Sequence, residues 1–366
     1  MAVLASVVTV VLVLFLVVTL IAAAAFYSHV NKKSPIDAVA LPLAPSPKLE
    51  GVYARNTLLQ SASKLGTGKL LQPEDIAADP SGKLLYVSTS DGWVKRVHLS
   101  DNSVEDWKHV GGRPLGLAVG ASGEVIVCES SQGLLKLTED NIEILATEVD
   151  GTKLKFVNAA AIANDGLIYF TDSSTKFTLE NFWFENFEGR PNGRIVVYNP
   201  REKSTRVLLK DLYLPNGIAI SRCQQFLIFA ETTAARIVKY HLHGDKEGQT
   251  EIINENLPGF PDNVHYNDKG SVLYVGVIGE RDVLVDLLWK LPFVKKVLVL
   301  YPFIRAAFDK SPKKGRVVVM DESGKVVKVY EDPAGKVVGF VTVGVEVDGW
   351  VYVGGLRDDF IGRVKV

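Results

Sequence analysis

The chain has 366 residues, with 41 Lys+Arg against 42 Asp+Glu, a net charge of −1, 47% hydrophobic residues and 2 cysteines. This balance excludes an electrostatic nucleic-acid binder, which needs a clear basic excess, and the apolar content excludes wholesale disorder. Cys128 and Cys223 exclude a disulfide framework and a Cys-ligated zinc site; at most they pair once, and their spacing leaves that open.

From Met1 to Tyr27 there is no charged side chain, and Ser6, Thr9 and Thr19 are the only polar breaks. A run of about 25 residues exceeds the roughly 20 needed to cross hydrocarbon, so residues 1–27 read as a transmembrane or signal-anchor segment. The other reading is a long cleaved signal, with Ala22-Ala23-Ala24 as its small-residue site. Lys32 and Lys33 follow the span, and the positive-inside rule alone puts the following domain in the cytosol. Residues 28–50, with Pro35, Pro42, Pro45 and Pro47, read as a linker.

A repeat fills residues 51–366. Six segments share a short lead-in, an apolar stretch, a Gly- or Asp-marked turn and an alternating strand; they start at Gln72, Arg113, Phe156, Leu214, Phe260 and Phe340. Each is followed by a further short strand, such as Trp93-Val-Lys-Arg-Val or Gly193-Arg-Ile-Val-Val-Tyr. Strand-rich repeats of about 40–50 residues signal propeller blades. The expected fold is therefore an all-β, six-bladed β-propeller behind an N-terminal apolar helix.

Aligning the lead-ins makes one position per blade equivalent: Glu74, Leu115, Asn158, Asn216, Asp262 and Thr342. In a propeller each innermost strand starts beside the central axis, so these residues are expected to form a ring at one mouth of the channel. Four of them carry Glu, Asn or Asp side chains, and Asn263 adds another amide. Asn and Asp are disfavoured in strands, so their recurrence at this register needs a cause. Calcium takes about six to eight oxygen ligands from carboxylates, amide carbonyls and water. The expected metal ligands are Glu74, Asn158, Asn216, Asp262 and Asn263, and the expected cofactor is Ca2+. The blander reading is that Asn and Asp only cap the turns entering each blade.

The segments Pro73-Glu74-Asp75, Phe156-Val157-Asn158, Leu214-Pro215-Asn216-Gly217 and Pro261-Asp262-Asn263 resemble the strictosidine synthase-like proteins of plants, especially the group similar to adipocyte plasma membrane-associated protein. Tyr169-Phe-Thr-Asp-Ser-Ser174 and Asp348-Gly349-Trp350 belong to the same pattern. The resemblance covers nearly the whole chain after residue 50 and implies the six-bladed propeller. It also implies kinship with paraoxonases and gluconolactonases, whose axial calcium ligands match Glu74, Asn158, Asn216, Asp262 and Asn263. Residence in the endomembrane system (endoplasmic reticulum or vacuole), with a lumenal propeller, is a further implication. A site of modest ligand charge also suits a calcium-rich compartment better than the cytosol.

Two departures shape the functional expectation. Thr342 stands at the position of the strictosidine synthase glutamate, and Thr is no base near neutral pH. Leu115 stands where paraoxonases carry a histidine. What remains is the metal with its carboxylates, which points to a calcium-dependent esterase or lactonase acting on a small apolar or aromatic substrate. Asp262 is then the expected base and Glu74 mainly a ligand with a secondary catalytic candidacy. An amine–aldehyde condensing enzyme and a non-catalytic calcium-binding propeller are the alternatives. His265, just inside blade five, is a minor pocket candidate.

Two insertions are expected to shape the site. Residues 176–191 carry Trp183 and four phenylalanines, as an aromatic wall or a buried edge helix. Residues 281–308, with Leu284, Leu287, Leu288, Trp289, Leu291, Phe293, Val297 and Phe303, read as a lid that also suits a bilayer surface. The expected partners are thus a small-molecule substrate and a membrane.

Overall fold

Alternating Val-, Ile- and Tyr-rich strands cannot bury one face alone, so they stack as sheets around a common axis. A computed structural model describes residues 2–267, 269–308 and 313–366; Met1 of the expected anchor, and residue 268 and residues 309–312 of the expected propeller, lie outside them. Six four-stranded antiparallel sheets form the blades. The innermost strands are Ile76–Ala78, Pro114–Val119, Val157–Ile162, Pro215–Ile220, Phe260–Tyr266 and Val341–Val347. Between neighbouring sheets lie apolar layers, such as Ile195, Leu227 and Phe229 between blades three and four.

The ring closes by mixing chain ends. Ser63–Leu65 is the outermost strand of blade six and pairs antiparallel with Ile361–Lys365, Lys64 opposite Gly362. Closure ties the last blade to the chain's start, and the radial arrangement leaves each blade only short, protected edges.

Innermost strands approach each other so closely that some positions admit only glycine. A Cβ on Gly217 would stand 2.3 Å from the Val264 nitrogen, and one on Gly116 would stand 2.5 Å from the Ala159 Cα. Both glycines immediately follow a ring position, so this close approach draws the ring together.

The N-terminal helix runs Ala2–Lys33, past Tyr27, and is exposed from Ser6 to His29. Val30 is buried, because the last turns dock on the propeller. Residues 34–50 do not hang free, as their prolines suggest. They form a strap in which the Val39 and Leu41 amides donate to the Glu188 and Trp289 carbonyls, at 2.9 and 3.0 Å. Ile36 and Ala38 pack into a satellite core with Phe177, Phe187, Trp289, Leu298 and Val299. Sequence composition misreads the strap because prolines mark extended chain as well as loose chain.

Gly217→Ala is expected to lower the denaturation midpoint by an amount equivalent to roughly 2–3 kcal/mol, since the clash is with backbone. An unchanged midpoint in a chemical denaturation series would mean that the ring relaxes around the added methyl.

Candidate functional site

The lead-ins are held in unusual geometry. Gln72, Leu214 and Phe340, each two residues before a ring position, have left-handed backbone with φ of 46°, 51° and 53°. Non-glycine residues avoid this region, so the surrounding structure must enforce it. In blade four the enforcing group is the carboxylate that ends the second strand, and the equivalent carboxylates of blades two and three tie the lead-ins of their own blades. Glu129 accepts from the Arg113 amide at 2.6 Å, Asp172 from Phe156 at 3.0 Å and Glu231 from Tyr213 at 2.7 Å.

Pairing between first and second strands then slips at the ring itself. The register shifts between Pro114 and Leu117, Val157 and Ala160, Pro215 and Ile218, Pro261 and Val264, and Val341 and Val343. Such bulges free one or two residues from the ladder and re-aim their side chains. This is how Asn and Asp sit inside strands here without disrupting them.

The expected ligands are all buried: Glu74, Asn158, Asn216, Asp262 and Asn263 expose 1–4% of their surface. Asn263 Nδ2 donates to Glu74 Oε1 at 3.0 Å and to the Glu74 carbonyl at 3.1 Å. Asn216 hydrogen-bonds the Asp262 carboxyl, and Asn158 occupies the equivalent bulge of blade three. Glu74 Oε2, Asn158 Oδ1, Asn216 Oδ1 and Asn263 Oδ1 are buried with no hydrogen-bond partner. Buried polar atoms nearly always find one. Four orphaned oxygens at one register are a donor set that fits a hard cation. Among the described residues no three His, Cys, Asp or Glu side chains form a metal cluster, so the amides are indispensable to that fit.

Electrostatics point the same way. Burial pushes the Glu74 carboxyl well above the usual carboxylate range; Asp262 and Asp75 add to this, while Arg113 and Asn263 oppose it. Burial pushes Asp262 up to about 8, with Asn216 opposing and Asp75 adding. Two acids made reluctant to ionise are what a cation-binding pocket looks like before a cation compensates its charge.

The other two ring positions supply no ligand. Leu115 is buried and apolar. Thr342 is fully buried, and its hydroxyl donates to the Glu74 carbonyl at 2.7 Å, which makes it a prop for Glu74. Cys128 and Cys223 are free thiols, one buried and one exposed.

Sequence reasoning missed two participants. Asp75 reaches across the channel: it accepts from the Leu117 amide at 2.7 Å and pairs with His265 Nε2 at 2.7 Å. Burial lowers the His265 pKa, but Asp75 more than offsets this and leaves it raised. Beneath the ring His265 borders an axial cavity of about 270 Å³, lined also by Ala77, Leu117, Ala161, Ala219 and Glu346. Arg113, whose guanidinium is felt by Glu74, donates Nη2 to the Gln72 carbonyl at 2.9 Å and keeps Nη1 buried without a partner. The adjacency of Asp75 to Glu74, and of Arg113 to the blade-two lead-in, were the available signals.

Both insertions lie over the ring. Each leaves the end of a second strand, the end at which its blade's lead-in enters. Phe182–Glu188 packs Phe187 against Trp289 with ring centroids 5.9 Å apart. Trp289 stacks on Phe260 at 5.0 Å, two residues before Asp262, and its Nε1 donates to the Thr233 carbonyl at 3.0 Å. The aromatic wall and the lid are thus one packed cap. Lys295 of the blade-five insertion is fully buried and donates to the Val39 carbonyl at 2.5 Å. Burial lowers its pKa to about 8 although Glu188 opposes.

Comparison with known proteins agrees with this architecture. Family models described as "Strictosidine synthase-like, N-terminal" and "Strictosidine synthase" match residues 51–97 and 158–245. Strictosidine synthase-like 4 of Arabidopsis thaliana is 35% identical over 333 residues, 88% of this chain and 87% of the relative. Human adipocyte plasma membrane-associated protein is 31% identical over 357 residues, 91% and 85% of the two chains. Among solved structures, a gluconolactonase of Xanthomonas campestris superposes with TM-score 0.59 at 16% identity, over 91% of this chain and 99% of that one. Regucalcin of Agrobacterium tumefaciens, a calcium-binding protein, superposes with TM-score 0.58 at 13% identity, over 83% and 93%. At these identities the superpositions speak to the fold.

The raised acids make stability pH-dependent. A carboxyl whose folded pKa lies above its unfolded value binds more protons folded, so its contribution falls as pH rises from about 4 through about 8. In chelator, the thermal midpoint is expected to drop across that window, and Asp262→Asn to flatten the slope. Parallel slopes for the two proteins would remove Asp262 as the titrating group.

Proposed function

The chain belongs to the strictosidine synthase-like family, and from that premise we propose that it is a calcium-dependent hydrolase of the esterase or lactonase type for a small, apolar or aromatic substrate. The observation that carries the reading is the set of four buried, unpartnered oxygens on Glu74, Asn158, Asn216 and Asn263. With Asp262 these residues would hold the ion. Calcium, when bound, supplies a Lewis acid that polarises the ester or lactone carbonyl.

The chain's own groups divide the remaining work. Asp262 takes the proton from the attacking water on its carboxylate, the one ring acid not engaged by Asn263. Glu74 is held as a ligand through its hydrogen bond from Asn263 and through the Thr342 prop beneath its carbonyl. Arg113 Nη1 is a donor to spare beside Glu74 and suits an oxyanion on the substrate. The cap of Phe187, Trp289 and Phe260 excludes bulk water and favours apolar or aromatic substrates. A gluconolactonase and a calcium-binding regucalcin among the fold neighbours support the same class. Condensation of an amine with an aldehyde finds no base at Thr342, whose hydroxyl is spent on backbone.

For localisation, we propose a single-pass or signal-derived entry into the endomembrane system with a lumenal propeller, in the endoplasmic reticulum or vacuole. The apolar helix and the membrane-associated relative support it. In sealed microsomes the propeller is expected to resist added protease until detergent is present; digestion without detergent would place it in the cytosol, as Lys32 and Lys33 argue.

The activity is tested with a panel of aryl esters and lactones, with and without chelator. Chelator-sensitive turnover is expected, and Asp262→Asn is expected to lower kcat by roughly 100-fold or more. Calcium should raise the thermal midpoint of the unmodified protein as a native-state ligand does, and should do so much less for Asp262→Ala. A calcium-raised midpoint with no turnover on any ester would instead favour a non-catalytic calcium-binding propeller.

A further inference from the structure

The apolar helix does not leave the propeller at an arbitrary place; it ends on the cap over the ring. Tyr27 stacks on Phe293 with centroids 4.9 Å apart, and Phe26 packs edge-on to the same ring at 6.1 Å. Phe26 also stacks on Tyr301 at 6.2 Å, and Lys296 Nζ donates to Asn31 Oδ1 at 2.9 Å. Phe293 and Lys296 belong to the helix Pro292–Leu300, which packs on Phe182–Glu188 and Val283–Trp289.

The length of the helix decides what this docking means. About 20 residues cross the hydrocarbon, so residues 6–25 suffice, and Phe26 and Tyr27 fall at the interface where aromatic side chains concentrate. Residues 26–33 add only about 12 Å at 1.5 Å per residue. Within that distance the chain is already folded against the cap, which leaves the cap at headgroup depth.

The cap's outer surface has the matching chemistry. Val283, Leu284, Leu287, Leu291, Val294 and Phe303 are exposed, from 38% at Val294 to 82% at Val283. Lys290, Lys32 and Lys33 are exposed in the same region. Apolar side chains fringed by lysines, continuous with a spanning helix, fit the acyl–headgroup boundary of an anionic bilayer. The opposite face of the propeller carries the polar turns between first and second strands, such as Asp79–Gly82 and Ser221–Gln225.

We infer that the cap helices 283–308 are a lipid-docking surface that holds the ring of Glu74, Asn158, Asn216 and Asp262 against the membrane carrying the anchor, so that the substrate is a lipophilic ester or lactone drawn from the bilayer. The docking rests on geometry alone; the substrate class rests on the hydrolase reading above.

The test uses the full chain reconstituted in phosphatidylcholine vesicles containing phosphatidylserine, with a nitroxide on part of the acyl chains. A fluorophore is attached at Leu284→Cys or Phe303→Cys in a Cys223→Ser background, or at Cys223 of the unmodified chain as the opposite-face control. The labels at positions 284 and 303 are expected to be quenched several-fold more than the label at Cys223. Equal quenching at the two faces, or none at 284 and 303, overturns the docking. Leu284→Asp combined with Phe303→Asp is expected to lower kcat/KM for a vesicle-borne long-chain aryl ester about tenfold while changing a water-soluble short-chain ester less than about twofold. Equal loss on both esters overturns the substrate class. If neither ester is cleaved by the unmodified chain, the substrate class falls together with the hydrolase reading, and the quenching pattern still decides the docking.

Discussion

Side-chain oxygens buried beside a common axis, with nothing in the protein donating to them, are the constraint from which the rest of this structure follows. Leaving a buried polar atom unsatisfied costs roughly 1–3 kcal/mol. Four such atoms approach the whole stability of a domain, about 5–15 kcal/mol, and the two buried carboxyls add to the cost. On the calcium reading proposed above, a divalent cation would offset that expense at once. The bulged first strands of blades three, four and five serve these side chains, since a regular ladder would turn Asn158, Asn216, Asp262 and Asn263 into the sheet interfaces.

The second-strand carboxylates show how the propeller sustains the strained ring. Glu129, Asp172 and Glu231 each tie the lead-in of their own blade. Two of them are in turn paired with arginine, Asp172 with Arg194 at 2.9 Å and Glu231 with Arg236 at 2.5 Å. Asp75 acts across blades, linking blade two to His265 of blade five. The ring is thus held both along the chain and across the channel, which keeps its oxygen donors in place.

The cap and strap connect the site to the N-terminal apolar helix. Glu188 is fully buried and accepts from the Asp37 amide at 2.7 Å and from Lys176 at 2.6 Å. Arg281 joins the Ala44 carbonyl at 2.5 Å to Asp286, at 2.9 Å, and so ties the strap to the blade-five insertion. Strap, insertions and the end of the apolar helix therefore form one packed unit over Asp262, and a displacement of that helix reaches the mouth of the site through direct contacts.

The repeat was legible in the sequence because period-two alternation and turn residues are local, and six copies of a local pattern imply a closed ring. The same repetition placed Glu74, Asn158, Asn216, Asp262 and Asn263 at one register, since equivalence between blades needs no knowledge of packing. The N-terminal apolar helix was legible for a similar reason, as length and the lack of charge suffice. What only the tertiary structure decided depends on residues far apart in the chain. His265 meets Asp75 across 190 residues, Lys64 closes blade six against Gly362, and Lys295 turns inward to the strap at Val39. Composition cannot reveal these contacts, because a lysine or a proline reads alike whether it faces water or a buried carbonyl. Only the folded chain shows which polar groups found partners and which oxygens were left without one.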